Sequence, residues 1–462
     1  MRAHEAGALH ADLGAANGPS WLRTPGDVNA LVPMLWPKTV TREHTGEITV
    51  GGLSVHTIKQ EHGTPAYVFD EADFRARCRA FREAFGGADV YYAGKAFIAT
   101  HIVRILVEEG LSLDVCTGGE LRVALNGGMP PERIGLHGNN KSTAELGRAV
   151  AAGVGRIIVD SFDEIARLTE IARETGKKPK VMVRVTVGVE AHTHEYIATA
   201  HEDQKFGFSL AGGAAEQAVE RILSDGVLDL RGLHSHIGSQ IFDSSGFEVS
   251  ARRILGLQAA IQQKHGTELP ELDLGGGFGI AYTTQDSPAE PADLARDLMR
   301  IVKQECAALH LSVPHLSVEP GRAIVGPSMF TLYEVGTVKD VDGIRTYVSV
   351  DGGMSDNIRP ALYDAAYSAT IAGRASSEPP ILARVVGKHC EAGDIVVKDE
   401  FLPADVRAGD LLAVPGTGAY CRSMASNYNH VPRPPVVAVA DGVSRVIVRR
   451  ETEDDLLRLD VG

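Results

Sequence analysis

Lys95 closes the apolar run Tyr-Tyr-Ala-Gly-Lys-Ala at residues 91 to 96. A primary amine at the end of a buried strand is a candidate nucleophile for a carbonyl, because an apolar setting disfavours its ammonium form. Glu319, in Val-Glu-Pro-Gly-Arg322, closes a second run, and its carboxylate could keep a basic ring nitrogen protonated. Gly275-Gly-Gly-Phe-Gly279 closes a third, where backbone N–H groups can approach an anion without Cβ interference. Ser239, three residues past His236, adds a hydroxyl for the same anion. An aldehyde for the lysine, a phosphate for the glycines and a pyridine nitrogen for the carboxylate are together the groups of pyridoxal 5'-phosphate.

Two groups of histidines bear on metal binding. His234 and His236 stand at i and i+2, on one face of a strand, but no third ligand has suitable spacing. His192, His194 and His201 fall in the polar stretch Glu190 to Asp203 and read as a solvated loop. No metal is expected.

Residues of these types must be positioned by a scaffold, and the chain's periodicity supplies one. Short apolar runs recur roughly every 22 to 25 residues, the length of a βα unit, at Val90–Ala96, Leu113–Thr117, Ile134–Gly138, Arg156–Ser161 and Val181–Thr186. Leu230–Gly238, Leu272–Gly277 and Leu316–Gly321 continue the series at wider spacing. The intervening stretches are amphipathic, as in Asp163-Glu-Ile-Ala-Arg-Leu-Thr-Glu-Ile-Ala. Eight such strands predict an α/β class fold with a TIM-like (β/α)8 barrel over residues 65–322. Lys95, Asp114, His137, Arg184, His236, the glycines and Glu319 then fall on or just beyond strand ends, on the face where barrel enzymes assemble their sites. After Arg322 the texture changes to short alternating segments such as Thr331–Val338 and Val436–Val439, punctuated by Asp351-Gly352 and Asp441-Gly442. A mostly antiparallel β domain over 323–462 is expected, joined by residues 36–64, with 1–35 as a loosely ordered extension.

The chain has 462 residues, 44% of them hydrophobic and 23% charged, enough for two domains with sizeable cores. Its formal charge of −14 argues against nucleic-acid and anionic-membrane partners and favours a small-molecule substrate. The five cysteines are scattered, with no C-x-x-C pair, and read as reduced thiols. The most apolar early stretch, Leu31 to Trp36, is short and interrupted by Pro33, so neither a signal peptide nor a membrane span is predicted and a cytoplasmic location is expected.

The ordered series Tyr-Tyr-Ala-Gly-Lys-Ala, Leu113-Asp-Val-Cys-Thr-Gly-Gly-Glu120, His137-Gly-Asn-Asn-Lys141, Gly232-Leu-His-Ser-His-Ile-Gly-Ser-Gln240, Leu272-Asp-Leu-Gly-Gly-Gly-Phe-Gly279, Glu319-Pro-Gly-Arg322, Gly387-Lys-His-Cys-Glu-Ala-Gly-Asp394 and Gly418-Ala-Tyr420 resembles the alanine-racemase-like, fold type III pyridoxal-phosphate decarboxylases. The resemblance spans about residues 36 to 455 and is specific as a series. It implies that Lys95 carries the cofactor, that His236 lies on its ring face and that Glu319 pairs with the ring nitrogen. Gly276, Gly277, Ser239 and Tyr420 would bind the phosphate, with backbone donors at Gly321 and Arg322, while Asp114 and Arg184 support the cofactor site. Cys390 would return a proton to the substrate carbon, a task that suits a thiol whose pKa can be brought near working pH.

Within the family the pattern is most similar to the branch that decarboxylates meso-2,6-diaminopimelate at its D centre, giving L-lysine and carbon dioxide. That likeness gives the distal carboxylate to Arg322, Arg359 and Tyr363, and the distal ammonium to Glu391, with Tyr420 also on the substrate side. Bidentate recognition of a carboxylate is the physical reason for arginine over lysine. The resemblance also implies a homodimer with shared sites, and a lid around Asp203-Gln-Lys-Phe-Gly207. The alternatives are a decarboxylase of ornithine, arginine or a carboxynorspermidine-type substrate, or an inactive cofactor-binding homologue; Glu319 at the ring-nitrogen position argues against a racemase.

Overall fold

The computed structural model describes residues 18–188, 204–342 and 344–462. Two compact units are present. The first comprises Arg75–Gly279 and Pro288–Ile324, and the second comprises the described residues up to Phe74 together with Ile280–Ser287 and Val325–Gly462.

Strands alternate with helices through the first unit: β1 (Asp89–Ala93), β2 (Ser112–Val115), β3 (Ile134–Leu136), β4 (Arg156–Val159), β5 (Lys180–Thr186), β6 (Asp229–His234), β7 (Glu271–Asp273) and β8 (His315–Val318). Each pairs in parallel with the next, and Val318 of β8 pairs with Val90 of β1, which closes an eight-stranded barrel. The strands are short and buried on both faces, as a helix-wrapped parallel sheet requires. The helices carry their own start and stop signals. Ser142 and Glu145 form a capping box at the head of Thr143–Ala152, and left-handed Gly153 ends that helix. Ser161 caps Phe162–Thr175, whose first turn holds Asp163 and Glu164, and Gly176 ends it in the same way. An added strand, Phe208–Ser209, pairs with β5.

The second unit is a mostly antiparallel sheet. Its strands are β9 (Met329–Val341), β10 (Arg345–Val350), β11 (Pro380–Val386), β12 (Ile395–Pro403), β13 (Leu411–Pro415), β14 (Val436–Ala440) and β15 (Val443–Val448). The order is β12-β11-β10-β9, then Ala66–Asp70, then β14-β15, with β13 pairing with β9 and with Thr370–Ile371. Ile48, Val50, Phe330, Leu332, Val437 and Val439 share one core with Trp36.

Two boundaries differ from the expectation. Ala66–Asp70 lies between β9 and β14 rather than in the barrel, because all five of its residues are buried and its backbone completes that sheet; the chain enters the barrel unit only within the helix Glu71–Ala84. Part of the expected loose extension is packed: Leu31, Val32 and Leu35 lie against the core, and Asn29 is joined to Ser376 by two hydrogen bonds of 2.8 Å. Residues 1–17 and the His192, His194 and His201 stretch lie outside the described residues. All five cysteines are free thiols.

Candidate active site

Glu319 follows β8 immediately and is buried. Its Oε1 stands 2.9 Å from Nε2 of His234, the last residue of β6, and 3.3 Å from Nε2 of His137, just beyond β3. The same His137 nitrogen is 3.2 Å from Oδ1 of Asp114 on β2. Burial pushes His234 down to about 3 and His137 well below its ordinary value, so both imidazoles are neutral and each has one N–H. His234 Nδ1 has no hydrogen-bond partner, which assigns the proton to Nε2, facing Glu319. Asp114 is raised well above the carboxylate range by burial and then by the neighbouring Glu319 and Asp273.

The strand ends at His234, so His236 lies in the following turn and the two rings part company. His236 Nδ1 accepts the N–H of Gly276 at 3.2 Å. Burial, then the Lys95 charge, drives this imidazole well below its ordinary pKa, so it too is neutral. The Lys95 charge reaches Asp114 and Glu120 as well, and Glu120 Oε2 accepts the Cys116 N–H at 2.6 Å. Lys95 is exposed two residues beyond β1. Gly321 lets the end of β8 approach that turn, since a Cβ there would sit 2.9 Å from both Ala93 Cβ and Ala93 O.

The glycine run is shaped by its neighbours. A Cβ on Gly276 would lie 2.3 Å from the Glu319 carbonyl oxygen, and one on Gly277, at φ +109°, would lie 2.5 Å from that of Gly238. Ser239, beside Gly238, receives a 2.7 Å hydrogen bond from Arg322 Nη2. Arg184 on β5 lies with its guanidinium carbon 4.5 Å from the centre of the Phe206 ring and its Nε 4.0 Å from Asp160 Oδ2, while Asp160 Oδ1 receives the Gly207 N–H at 2.8 Å. The barrel end thus gathers Lys95, Asp114, Arg184, His236, Ser239, Gly276, Gly277, Glu319, Gly321 and Arg322. An amine, a neutral imidazole, a carboxylate with imidazole donors and a cradle that any Cβ would fill are the donor set that pyridoxal phosphate needs, and the residues fit the group.

In the second unit, Arg359 is buried and heads the short helix Arg359–Tyr363. Its guanidinium donates to the Tyr367 hydroxyl and lies 4.6 Å from the Tyr282 ring centre. Tyr363 is 61% exposed. The motif Gly387-Lys-His-Cys-Glu-Ala-Gly-Asp394 is a turn wound about Asp394, which accepts the Met354 N–H at 2.6 Å, the His389 N–H at 2.8 Å and His389 Nδ1 at 2.9 Å. A Cβ on Gly387 would lie 2.2 Å from the Asp394 carboxylate, so glycine is needed where the turn closes. The turn displays Cys390 to solvent, with its N–H on Asn429 Oδ1 at 3.1 Å and Glu391 beside it. Tyr420 holds a left-handed φ of +62°.

Sequence reasoning did not assign roles to His137 and His234, nor did it find Tyr282 and Tyr367. His234 and Glu319 are 85 residues apart. The available signal was their common place at strand ends.

The model of the pyridoxal-dependent decarboxylase pyridoxal binding domain matches residues 71–326. The chain is 57% identical to a diaminopimelate decarboxylase of Mycobacterium tuberculosis over 440 residues, covering 93% of this chain and 98% of that one. It is 45% identical to the diaminopimelate decarboxylase of Bacillus subtilis over 427 residues, covering 92% and 97%. A crystal structure of the diaminopimelate decarboxylase of M. jannaschii in complex with L-lysine superposes with a TM-score of 0.87 at 31% identity, covering 93% of this chain and 99% of that one.

Proposed function

This chain belongs to the pyridoxal-dependent decarboxylases, and from that premise we propose that it removes the carboxylate at the D centre of meso-2,6-diaminopimelate to give L-lysine and carbon dioxide. The observation that carries the reading is the convergence of Lys95, neutral His236 and the imidazole-bound Glu319 at one barrel end. Bound there, pyridoxal phosphate supplies an electron sink for the pair left behind when carbon dioxide departs. Lys95 would hold the cofactor through its amine. Glu319 would keep a proton on the ring nitrogen, and His236, neutral and fixed by Gly276, would cover a ring face without adding charge. Ser239, Gly277 and backbone donors at Gly321 and Arg322 orient the phosphate; Gly276 gives its own N–H to His236 and serves by letting the loop pass Glu319. Tyr420 is assigned to the phosphate as well.

For the substrate, the reading assigns Arg322, Arg359 and Tyr363 to the distal carboxylate and Glu391 to the distal ammonium. Cys390, held on the Asp394 turn, delivers a proton from Sγ to the α-carbon. The turn that carries Cys390 and Glu391 serves the site of a second copy, which makes the working form a cytoplasmic homodimer. Among the described residues no helix is long and apolar enough to cross a membrane.

The test is a substrate panel with purified protein. Cofactor absorbance, lysine formation from meso-diaminopimelate and loss of both in Lys95→Ala are expected. Preference for ornithine, arginine or carboxynorspermidine, or full turnover by Lys95→Ala, would overturn the reading.

A further inference from the structure

Three buried carboxyl groups crowd the floor of the site: Asp114, Asp273 and Glu319. Like charges this close cannot all ionise in a medium of low dielectric, so the protein must choose which one carries the charge. Asp114 Oδ2 has no hydrogen-bond partner. Asp273 receives the Gly275 N–H at 2.7 Å and faces the Ser317 hydroxyl at 2.8 Å, a group that serves either protonation state by turning. Burial, and then Glu319, raise Asp273 to about 7 and Asp114 well above its usual range. Glu319 differs in having His234 Nε2–H aimed at it from β6, and His137 alongside from β3. His234 is fully buried and makes this one polar contact through its ring nitrogens, its Nδ1 being without a partner. A buried imidazole with an unsatisfied nitrogen costs stability, which makes the contact it does make the reason for its presence.

We propose that His234 is a positioning residue acting through Glu319: its Nε2–H fixes Glu319 Oε1 and keeps the negative charge of the three-carboxyl cluster on the group that meets the cofactor's ring nitrogen. The inference rests on the cofactor reading given above. The other charged groups facing the cluster are Lys95 from the turn after β1, Arg184 from β5, Lys141 from the loop after β3 and the carboxyl of Glu120 beside Asp114; the three basic side chains favour a net anion without selecting among the carboxyls. Selection therefore falls to the hydrogen-bond donors. His137, 3.3 Å from Glu319 and 3.2 Å from Asp114, bridges two candidates and selects less sharply than His234.

The experiment is titration of pyridoxal phosphate into cofactor-free protein, with the visible spectrum of the bound cofactor followed against pH. His234→Met removes the donor at similar volume, and is expected to weaken cofactor binding about tenfold and to make the absorption band shift across a pH range where the parent is constant. His234→Gln, whose amide nitrogen can occupy the Nε2 position, is expected to restore both within about twofold of the parent. In a Glu319→Gln background His234→Met is expected to add little, because its route of action is gone. An unchanged affinity and pH-independent spectrum for His234→Met, or an equal effect with and without Glu319, would refute the proposal. Should the methionine variant not fold, His234→Asn, whose amide ends short of Glu319, replaces it in the same comparison. A parent protein that fails to bind pyridoxal phosphate refutes the function reading instead, so the two failures are distinct.

Discussion

Tyr367→Phe is the most direct probe of how the distal end of the substrate is read. Tyr367 is buried, and burial holds its phenol well above the usual range, so it is a neutral hydroxyl that accepts from Arg359 and lies 3.7 Å from Cys421 Sγ. Cys421 Sγ in turn faces Asn357 Oδ1 at 3.5 Å, and that oxygen receives the Arg359 N–H at 3.3 Å. The guanidinium is thus held by Tyr367, and the ring of contacts closes on the Arg359 backbone N–H. Removing the hydroxyl leaves the Tyr282 face at 4.6 Å, worth about 1 kcal/mol, and deletes a hydrogen bond to a charged group, worth roughly 1.5–3 kcal/mol. Loss of about 1.4 kcal/mol of that orientation corresponds to a tenfold rise in KM for meso-diaminopimelate, with kcat nearly unchanged because the distal contact is uniform binding. The assay is lysine formation, with D-lysine, which lacks the second carboxylate, as a competing ligand whose affinity is expected to stay constant. An equal change for both ligands, or an unchanged KM beside a lowered melting temperature, would show that the ring only packs the β unit and that Arg359 reads nothing.

The other predictions concern stability. Lys141 and Glu164 form a buried pair at 2.8 Å, with Lys141 also donating to the carbonyls of Gly138 and Ile158; Lys141→Met leaves Glu164 unpaired and should cost about 3–5 kcal/mol in denaturant unfolding, most of it recovered by adding Glu164→Leu. Asp356 is raised to about 7 by burial, despite hydrogen bonds from Tyr333 and the Gly353 N–H. Between about pH 4 and that value the folded state binds more protons than the unfolded chain, so this group makes stability fall as pH rises. Asp356→Asn should flatten that slope in urea midpoints measured from pH 4 to 7, and a slope equal to the parent's would exclude Asp356 as its source.

Much of the barrel was legible because each strand is a short apolar run cut off by glycine or a polar residue, and βα spacing is nearly constant early in the chain. The runs were read too long at their C-terminal ends. Leu230–Gly238 ends as a strand at His234, because the backbone must turn to bring His236 to Gly276. Ala66–Asp70 was misplaced for a different reason. A mostly apolar pentapeptide suits a parallel barrel or the centre of a mixed sheet equally, and only its long-range partners decide. Candidate residues stood out in the sequence where their chemistry is intrinsic, as for an amine, a carboxylate or a glycine run, and the structure brings Lys95, Glu319 and Gly275–Gly277 to one barrel end. Contacts between distant residues were not legible: His234 stands in the sequence as half of an i, i+2 pair with no third ligand, and nothing in its neighbourhood in the chain points to Glu319.

The strand Ala66–Asp70 also bears on how the molecule is made. Its Tyr67 pairs with Thr331 on one side and with Val436 on the other, so the second partner leaves the ribosome 369 residues after it. At elongation speeds of about 5–20 residues per second, the interval is roughly 20 to 75 s. Throughout that time the barrel segment can complete its own pairings, while an apolar strand emitted before it waits for its neighbours. Truncated products that stop short of β14 would carry that strand half-covered, and they would be the species most prone to aggregate and to need chaperones during synthesis.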